Sequence, residues 1–432
     1  MSRLFDSHVI VDWSARSAPS PKRDSADAIW WTGVRDGHAE SPVYARTRAE
    51  AVAALADLLA AEVAAGRRVL VGFDFPFGYP AGVAARLTGR ARAYALWDWL
   101  AERVDDRADN ANRRFSVGEQ INAVYDGSGP CWGRPASWDH PGVPTRASAR
   151  HGTDHPPEYR LADARMKGAK TVWQLAYSGS VGSQVLLGLP ALKSLREDAR
   201  LAGHVAVWPF DGFGVPKAPV VIAEIYPSLL REAVAAHRQD GEVLDAAQTR
   251  VNAEAFARLD AAGGLAPLFA RPEGLSDAEA EAIAREEAWI LGLDHKAALE
   301  GALYGPEPVD NSDEGIARPP EARCPAQTPR EAVVGGGVSA AAFTYLRDPR
   351  AIYDQSFATV RAEAPLGHLP PDIAEEVFEP FVSGRENGTG LGLALAAKII
   401  SEHGGWISVS SVPGRTVFRI SLQRADAQEE GG

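Results

Sequence analysis

The sequence predicts an α/β fold, a mixed sheet with flanking helices that runs to about residue 305, followed by a smaller α+β piece near the C-terminus. Three observations lead there. Apolar runs end abruptly on one carboxylate: Val69 to Phe73 stops at Asp74, and His8 to Val11 stops at Asp12. Such runs read as buried strands, and Pro76, Gly78 and Pro80 cannot continue a central one, so both acids fall at strand ends. A helix with its own start signal separates these two strands. Near the C-terminus a glycine-rich loop, a helix and a hairpin follow one another.

Each element can be justified in order. After the first strand, Ser14 to Asp27 is a polar loop. Ala28 to Val34 reads as a second strand and Arg35-Asp36-Gly37 as a turn. Thr47 and Glu50 form a capping box. It opens a helix with Val52, Leu55, Leu59 and Val63 on one face and Gly66 just past its end. Trp97 to Trp99 lies in a further helix, while Asn112 to Phe115 and Gly129 to Pro135 read as loops. Thr171 to Gln184 carries spaced Gly and Ser, which serve either as tight turns against Trp173 or as a ligand lining. Val220 to Tyr226 is another strand, with Glu224 inside it and Pro227 ending it. Ser276 and Glu279 cap a helix that carries Glu286 and Glu287 and ends near Gly292.

Composition narrows the function classes. The 432 residues suit two to three domains, and the net charge of −12 argues against broad nucleic-acid coating. Cys131 and Cys324 stand far apart, with no metal-ligand spacing or disulfide framework, as expected for a cytoplasmic protein. No apolar run reaches membrane-spanning length and the N-terminus shows no secretory h-region. The expected ligand is a small molecule or nucleotide; the sequence names no partner.

Asp12 and Asp74 end strands, Glu224 lies inside one, and Glu287 sits on a helix. Three strand acids and one helix acid can hold hard divalent cations, here Mg²⁺ or Mn²⁺, for phosphoryl or phosphodiester transfer. The plain alternative is that each acid is a cap or turn former. The segments Asp12 to Ala15, Gly72 to Pro80, Gly179 to Gln184 and Glu224 to Ser228 together resemble an uncharacterised bacterial family of ribonuclease-H-like proteins, found beside cobalamin-biosynthesis enzymes. The resemblance covers about residues 6 to 305. It implies the fold and, with Asp12, Asp74, Glu224 and Glu287 as catalytic candidates, a metal site on the first three.

Residues 306–342 are a linker rich in Pro and Gly. Tyr345 to Ala364 resembles the amino-terminal segment of precorrin-8X methylmutase and is expected to be helical over 343–369, with Ile352, Phe357 and Val360 for burial. The catalytic His of that family has no counterpart here, so methylmutase activity is not expected.

Phe378 to Gly384 precedes the glycine run Asn387 to Leu393, then a helix to about His403, then strands from Trp406 and Thr416 joined through Pro413-Gly414. Clustered glycines before a helix let backbone N–H groups approach phosphates. Residues 370–423 resemble the carboxyl half of the ATPase domain of sensor histidine kinases of the nitrogen-regulation type. The resemblance implies an ATP lid and phosphate contacts from Gly388, Thr389, Gly390, Leu391 and Gly392. The sequence departs from that pattern upstream: the Asn-bearing Mg²⁺ helix is not recognisable, and Arg361 to His368 stands where an Asp-x-Gly-x-Gly box would read adenine. ATP binding is therefore expected to be weak and histidine phosphorylation absent. Residues 426–432 are expected to be a disordered tail. Such a join inside two functional domains is what a fused or rearranged gene would produce. The chain thus supports two main readings, a ribonuclease-H-like phosphoryl-transfer enzyme and an ATP-binding signalling protein related to sensor kinases, beside a non-catalytic binding domain.

Overall fold

The computed structural model describes residues 3–166, 168–177, 180–304, 343–345, 357–364, 393, 396–397, 406–412 and 415–423. Two compact units divide the chain, Met1–Asn311 and Ser312–Gly432.

The first unit is built on strands β1 (Ser7–Asp12), β2 (Ile29–Arg35), β3 (His38–Ala39), β4 (Val43–Ala45), β5 (Val69–Phe73), β6 (Val205–Trp208) and β7 (Val220–Glu224). Their order is β3-β2-β1-β5-β7-β6, with β4 also on β2. β1, β5, β7 and β6 are mutually parallel, and β2 is antiparallel to β1. The carboxyl ends of the four parallel strands therefore share one edge, where open α/β sheets place ligands.

Helices α1 (Arg48–Ala64), α2 (Val83–Thr88), α3 (Ala93–Ala101), α4 (Arg114–Asn122), α5 (Leu161–Arg165) and α6 (Gly182–Glu197) precede β6. After β7 come α7 (Arg231–His237), α8 (Leu244–Ala261), α9 (Asp277–Ala282) and α10 (Lys296–Tyr304). The pleat sorts the strands' side chains. Val9, Val11, Val69, Val71 and Phe73 pack with Leu55 and Leu59 of α1, Trp97 of α3 and Leu186 of α6. Ile10, Leu70, Val221 and Ala223 pack on the other face with Val251, Phe256 and Leu259 of α8. The capping box at α1 is formed as the sequence predicts, with the Thr47 hydroxyl accepting from Glu50 N.

Two local expectations are corrected. The loop expected at Asn112 to Phe115 opens α4 at Arg114, because Phe115 is buried and stacks on His140. The helix capped by Ser276 does not reach Gly292. It passes at Ile283 into a π-turn and ends at Glu287, with Ala288 at φ 65°. The local unwinding brings the Glu286 and Glu287 carboxylates onto the backbone after β5.

The second unit holds an antiparallel sheet of β8 (Phe343–Tyr345), β9 (Phe357–Ala364), β10 (Trp406–Val412) and β11 (Arg415–Gln423), ordered β10-β11-β9-β8. The predicted β10–β11 hairpin is present, with Val409 opposite Phe418. The helix expected across 343–369 is corrected: Phe357–Ala364 is a strand in full register with β11, Val360 opposite Ile420. Phe, Thr and Val favour a pleated surface, and pairing with β11 satisfies the segment's backbone. Leu393, Ala396 and Ala397 are helical. The rest of the helix expected to His403, the 306–342 linker, the 426–432 tail, and Gly388, Thr389, Gly390, Leu391 and Gly392 lie outside the described residues.

Candidate functional site

The site grows from the segment that leaves β5. Phe73, Phe75 and Phe77 stack in sequence, with ring centroids 5.7 Å apart from Phe73 to Phe75 and again from Phe75 to Phe77. Trp13, from the end of β1, packs against Phe73 and Phe75 at 6.1 and 6.0 Å. The aromatic stack fixes the two strand ends against each other. Two glycines permit it. A Cβ on Gly78 would stand 1.9 Å from the Glu286 carbonyl oxygen, and one on Gly188 of α6 would stand 2.3 Å from the Phe75 ring.

Asp12 and Asp74 meet here. Their carboxyl groups lie close enough to influence each other, and Asp74 Oδ1 accepts from Trp13 N at 2.7 Å. Burial, then the Asp74 charge, raises the Asp12 carboxyl well above the ordinary range. Burial pushes Asp74 up to about 7, opposed by the Trp13 N–H and reinforced by the Asp245 charge. No cation stands among the charges that act most strongly on either acid. Both side chains keep some accessible surface. Two acids this close cannot both ionise freely.

Glu224 ends β7 at the same sheet edge, but its environment is different. Arg160 grips it bidentately, Nη2 to Oε1 at 2.6 Å and Nη1 to Oε2 at 2.7 Å. The same guanidinium reaches Asp163 at 2.8 and 2.9 Å and the Glu287 carbonyl at 2.8 Å. Phe77 N donates to Glu224 Oε2 at 2.9 Å. Burial raises the Glu224 carboxyl and Arg160 opposes it; burial acts against the Arg160 cation too, and Asp163 and Glu224 more than offset it. Glu287 accepts from Ala81 N at 2.8 Å and Leu161 N at 2.6 Å.

The three-acid metal set of Asp12, Asp74 and Glu224 is therefore corrected. Among the described residues no three His, Cys, Asp or Glu side chains are grouped to hold an ion. Glu224 has its lone pairs on Arg160 and Phe77, and Glu287 clamps two backbone N–H groups. Asp12 and Asp74 remain together.

Specific roles that the sequence reading missed fall to residues of two stretches it had singled out, one of them beside this pair. Gln184 Nε2 donates to Trp13 O at 2.6 Å and ties the start of α6 to the end of β1. The neighbouring Ser183 hydroxyl donates to Leu175 O and accepts from Arg114 Nε at 2.9 Å. Burial, then the Arg48 charge, lowers Arg114 to about 10, and its bonded partners are neutral: Ser183, Ser17 at 2.6 Å and Asn112 at 2.9 Å. Gly182 and Ser183 thus serve a turn and a helix start, the plainer of the two readings of that stretch, while Gly179 lies outside the described residues. Arg160 had one sequence signal, the Asp163 three positions on that faces it across a helical turn.

Among the described residues no helix is long and apolar enough to cross a membrane. Residues 356–426 match the family described as Histidine kinase-, DNA gyrase B-, and HSP90-like ATPase. A stretch of 54 residues is 80% identical to the sensory histidine kinase/phosphatase NtrB of Rhodobacter capsulatus, covering 12% of this chain and 15% of that protein. A stretch of 64 residues is 47% identical to NtrB of Azospirillum brasilense, covering 15% and 16%. Among solved structures, the catalytic domain of histidine kinase ThkA shares 32% identity at a TM-score of 0.15, over 16% of this chain and 45% of that one. The mycobacterial sensor histidine kinase MprB shares 28% at 0.15, over 18% and 52%. The chain therefore spans only about one seventh of the curated relatives, 15–16% of their length. Residues 356–426 are therefore similar to an ATPase segment of the histidine-kinase type.

Proposed function

We propose that the chain is an ATP-binding protein related to sensor histidine kinases, and that its C-terminal segment holds the nucleotide by the phosphates. The observation that carries this is the family match over 356–426, which includes the glycine run Asn387 to Leu393. The sequence suits a polyphosphate: glycine at 388, 390 and 392 carries no side chain that would keep backbone N–H groups from phosphate oxygens. It does not fit adenine, because Ala362 to His368 supplies no Asp in an Asp-x-Gly-x-Gly box. Bound ATP would supply a transferable phosphoryl group. Phosphoryl transfer depends on positioning nucleotide and Mg²⁺ together, and no Asn-bearing Mg²⁺ helix is recognisable in the sequence, so weak binding and no self-labelling are expected. Calorimetric titration of the full chain with ATP tests the first half. Heat that is unchanged by Gly390→Val would refute it. Incubation with γ-labelled ATP and Mg²⁺ tests the second, and stable label on the protein would overturn it.

A second reading rests on the Asp12–Asp74 pair and on the ribonuclease-H-like resemblance of residues 6 to 305. Mg²⁺ and Mn²⁺ are commonly held by one or two carboxylates together with waters and substrate phosphates. The two acids fit such a site. Asp12 and Asp74 would hold the metal, which would polarise a phosphoryl oxygen. Glu224 and Glu287 would hold the surrounding backbone in place. A metal-dependent rise in melting temperature, lost in Asp74→Asn, is the expected result; identical melts with and without Mn²⁺ would sink this reading.

A further inference from the structure

We propose that a cavity of about 300 Å³ beside the end of β6 binds a small phosphate ester with a flat apolar body. Its lining is Arg92, Ala93, Tyr94, Phe210, Ala284 and Arg285. The volume is at the lower end of the range for small-ligand sites. Phe210 follows Trp208, the last residue of β6, so the cavity opens at the carboxyl edge of the parallel strands.

One wall is apolar and rigid. Tyr94 and Phe210 meet edge to face at 5.7 Å, and Trp97 backs both at 5.2 and 6.0 Å. The Tyr94 hydroxyl donates to Asp211 Oδ2 at 2.9 Å, and the same oxygen accepts from Val207 N at 2.7 Å. The ring is therefore held in one orientation before any ligand arrives, which lowers the ordering cost of binding.

The lining also carries two cations. Arg92 makes no cap hydrogen bond to α3, and its side chain has no carboxylate partner among the described residues. Arg285 pairs with Glu281 at 3.0 Å, both side chains being exposed. Such a pair is weak and exchanges readily for a better anion. Arg196 lies 4.1 Å over the Tyr94 ring. No acid lines the cavity, in a chain whose net charge is −12. Two guanidinium forks from separate elements suit the three terminal oxygens of a phosphate monoester better than the two of a carboxylate. Between Asp74 and β6 lie two strand spacings, on the order of 10 Å. The proposal stands whether or not Asp12 and Asp74 hold a metal.

The test is calorimetric titration of the full chain with phenyl phosphate, inorganic phosphate and benzoate. Phenyl phosphate should bind, with inorganic phosphate and benzoate each about tenfold weaker or worse. Arg92→Gln with Arg285→Gln should weaken phenyl phosphate by on the order of a hundredfold. Ala284→Asp, which puts an acid into the cavity, should abolish binding independently of the arginines. Gly390→Val should leave it unchanged, which separates this site from the C-terminal phosphate loop. No heat with millimolar phenyl phosphate, or full affinity in the double variant or in Ala284→Asp, would overturn the proposal. So would binding lost only in Gly390→Val. Equal affinity for phenyl and inorganic phosphate would overturn the apolar half of it.

Discussion

Asp74 and Glu224 leave neighbouring parallel strands at the same sheet edge, yet one faces an acid and the other a base. Asp74 meets Asp12, and burial raises both carboxyls. Glu224 meets Arg160 and is closed off by a bidentate bridge and a backbone N–H. A strand-end carboxylate is therefore ambiguous. Its role depends on which counter-charge the distant chain brings, and among the described residues Arg160 comes to Glu224 of β7 while Asp74 after β5 meets Asp12. The acid pair is left open to a ligand cation, and the paired Glu224 becomes a fastener for the loop after β5.

The comparison can be broken most forcefully at Arg160. Replacing it by Met leaves Glu224 and Asp163 buried and unpaired, which should cost about 3–5 kcal/mol of stability. Urea unfolding measures this, and a loss under about 1 kcal/mol would mean that Glu224 does not depend on Arg160. Asp74→Asn should behave oppositely. A carboxyl raised in the folded state favours folding while protonated, so the wild type should lose stability as pH rises from about 4 through 7. The loss should be on the order of 2 kcal/mol once partial exposure is allowed for, and the Asn variant should show a flatter profile. Denaturation midpoints at pH 5 and pH 7.5 for both proteins decide it. A smaller effect is expected from Mn²⁺ on the wild type at pH 7.5, about 1 kcal/mol at metal a few times its Kd, and none on Asp74→Asn. The smallest should come from Asp245→Asn, since Asp245 raises Asp12 and Asp74 through space without touching them. Its expected signature is a slight shift of the stability profile to lower pH, by a few tenths of a unit; a profile displaced upward would contradict the arrangement.

Local signals were legible where local chemistry decides. Thr47 with Glu50, and Ser276 with Glu279, placed two helix starts correctly because a cap satisfies its own backbone within one turn. Val69 to Phe73 read as a strand because every side chain in it is buried. The expected helix at Phe357 to Ala364 failed for the converse reason. Its backbone is satisfied by β11, more than fifty positions along the chain, and no short window contains that partner. The π-turn before Ala288 was invisible too, since its geometry follows from contacts that Glu286 and Glu287 make with residues 81, 82 and 161.

By itself the sequence determined that acids would end β1 and β5 and that β1 and β5 would be buried strands, because apolar runs and prolines act over a few residues. It also carried the glycine run from Asn387 to Leu393, whose likeness to sensor kinases is a matter of residue order alone. Only the tertiary structure decided that Asp12 and Asp74 meet while Glu224 does not join them. The reason is physical: a carboxylate's charge state depends on what lies within a few ångströms, and Arg160 reaches Glu224 across 64 positions of chain.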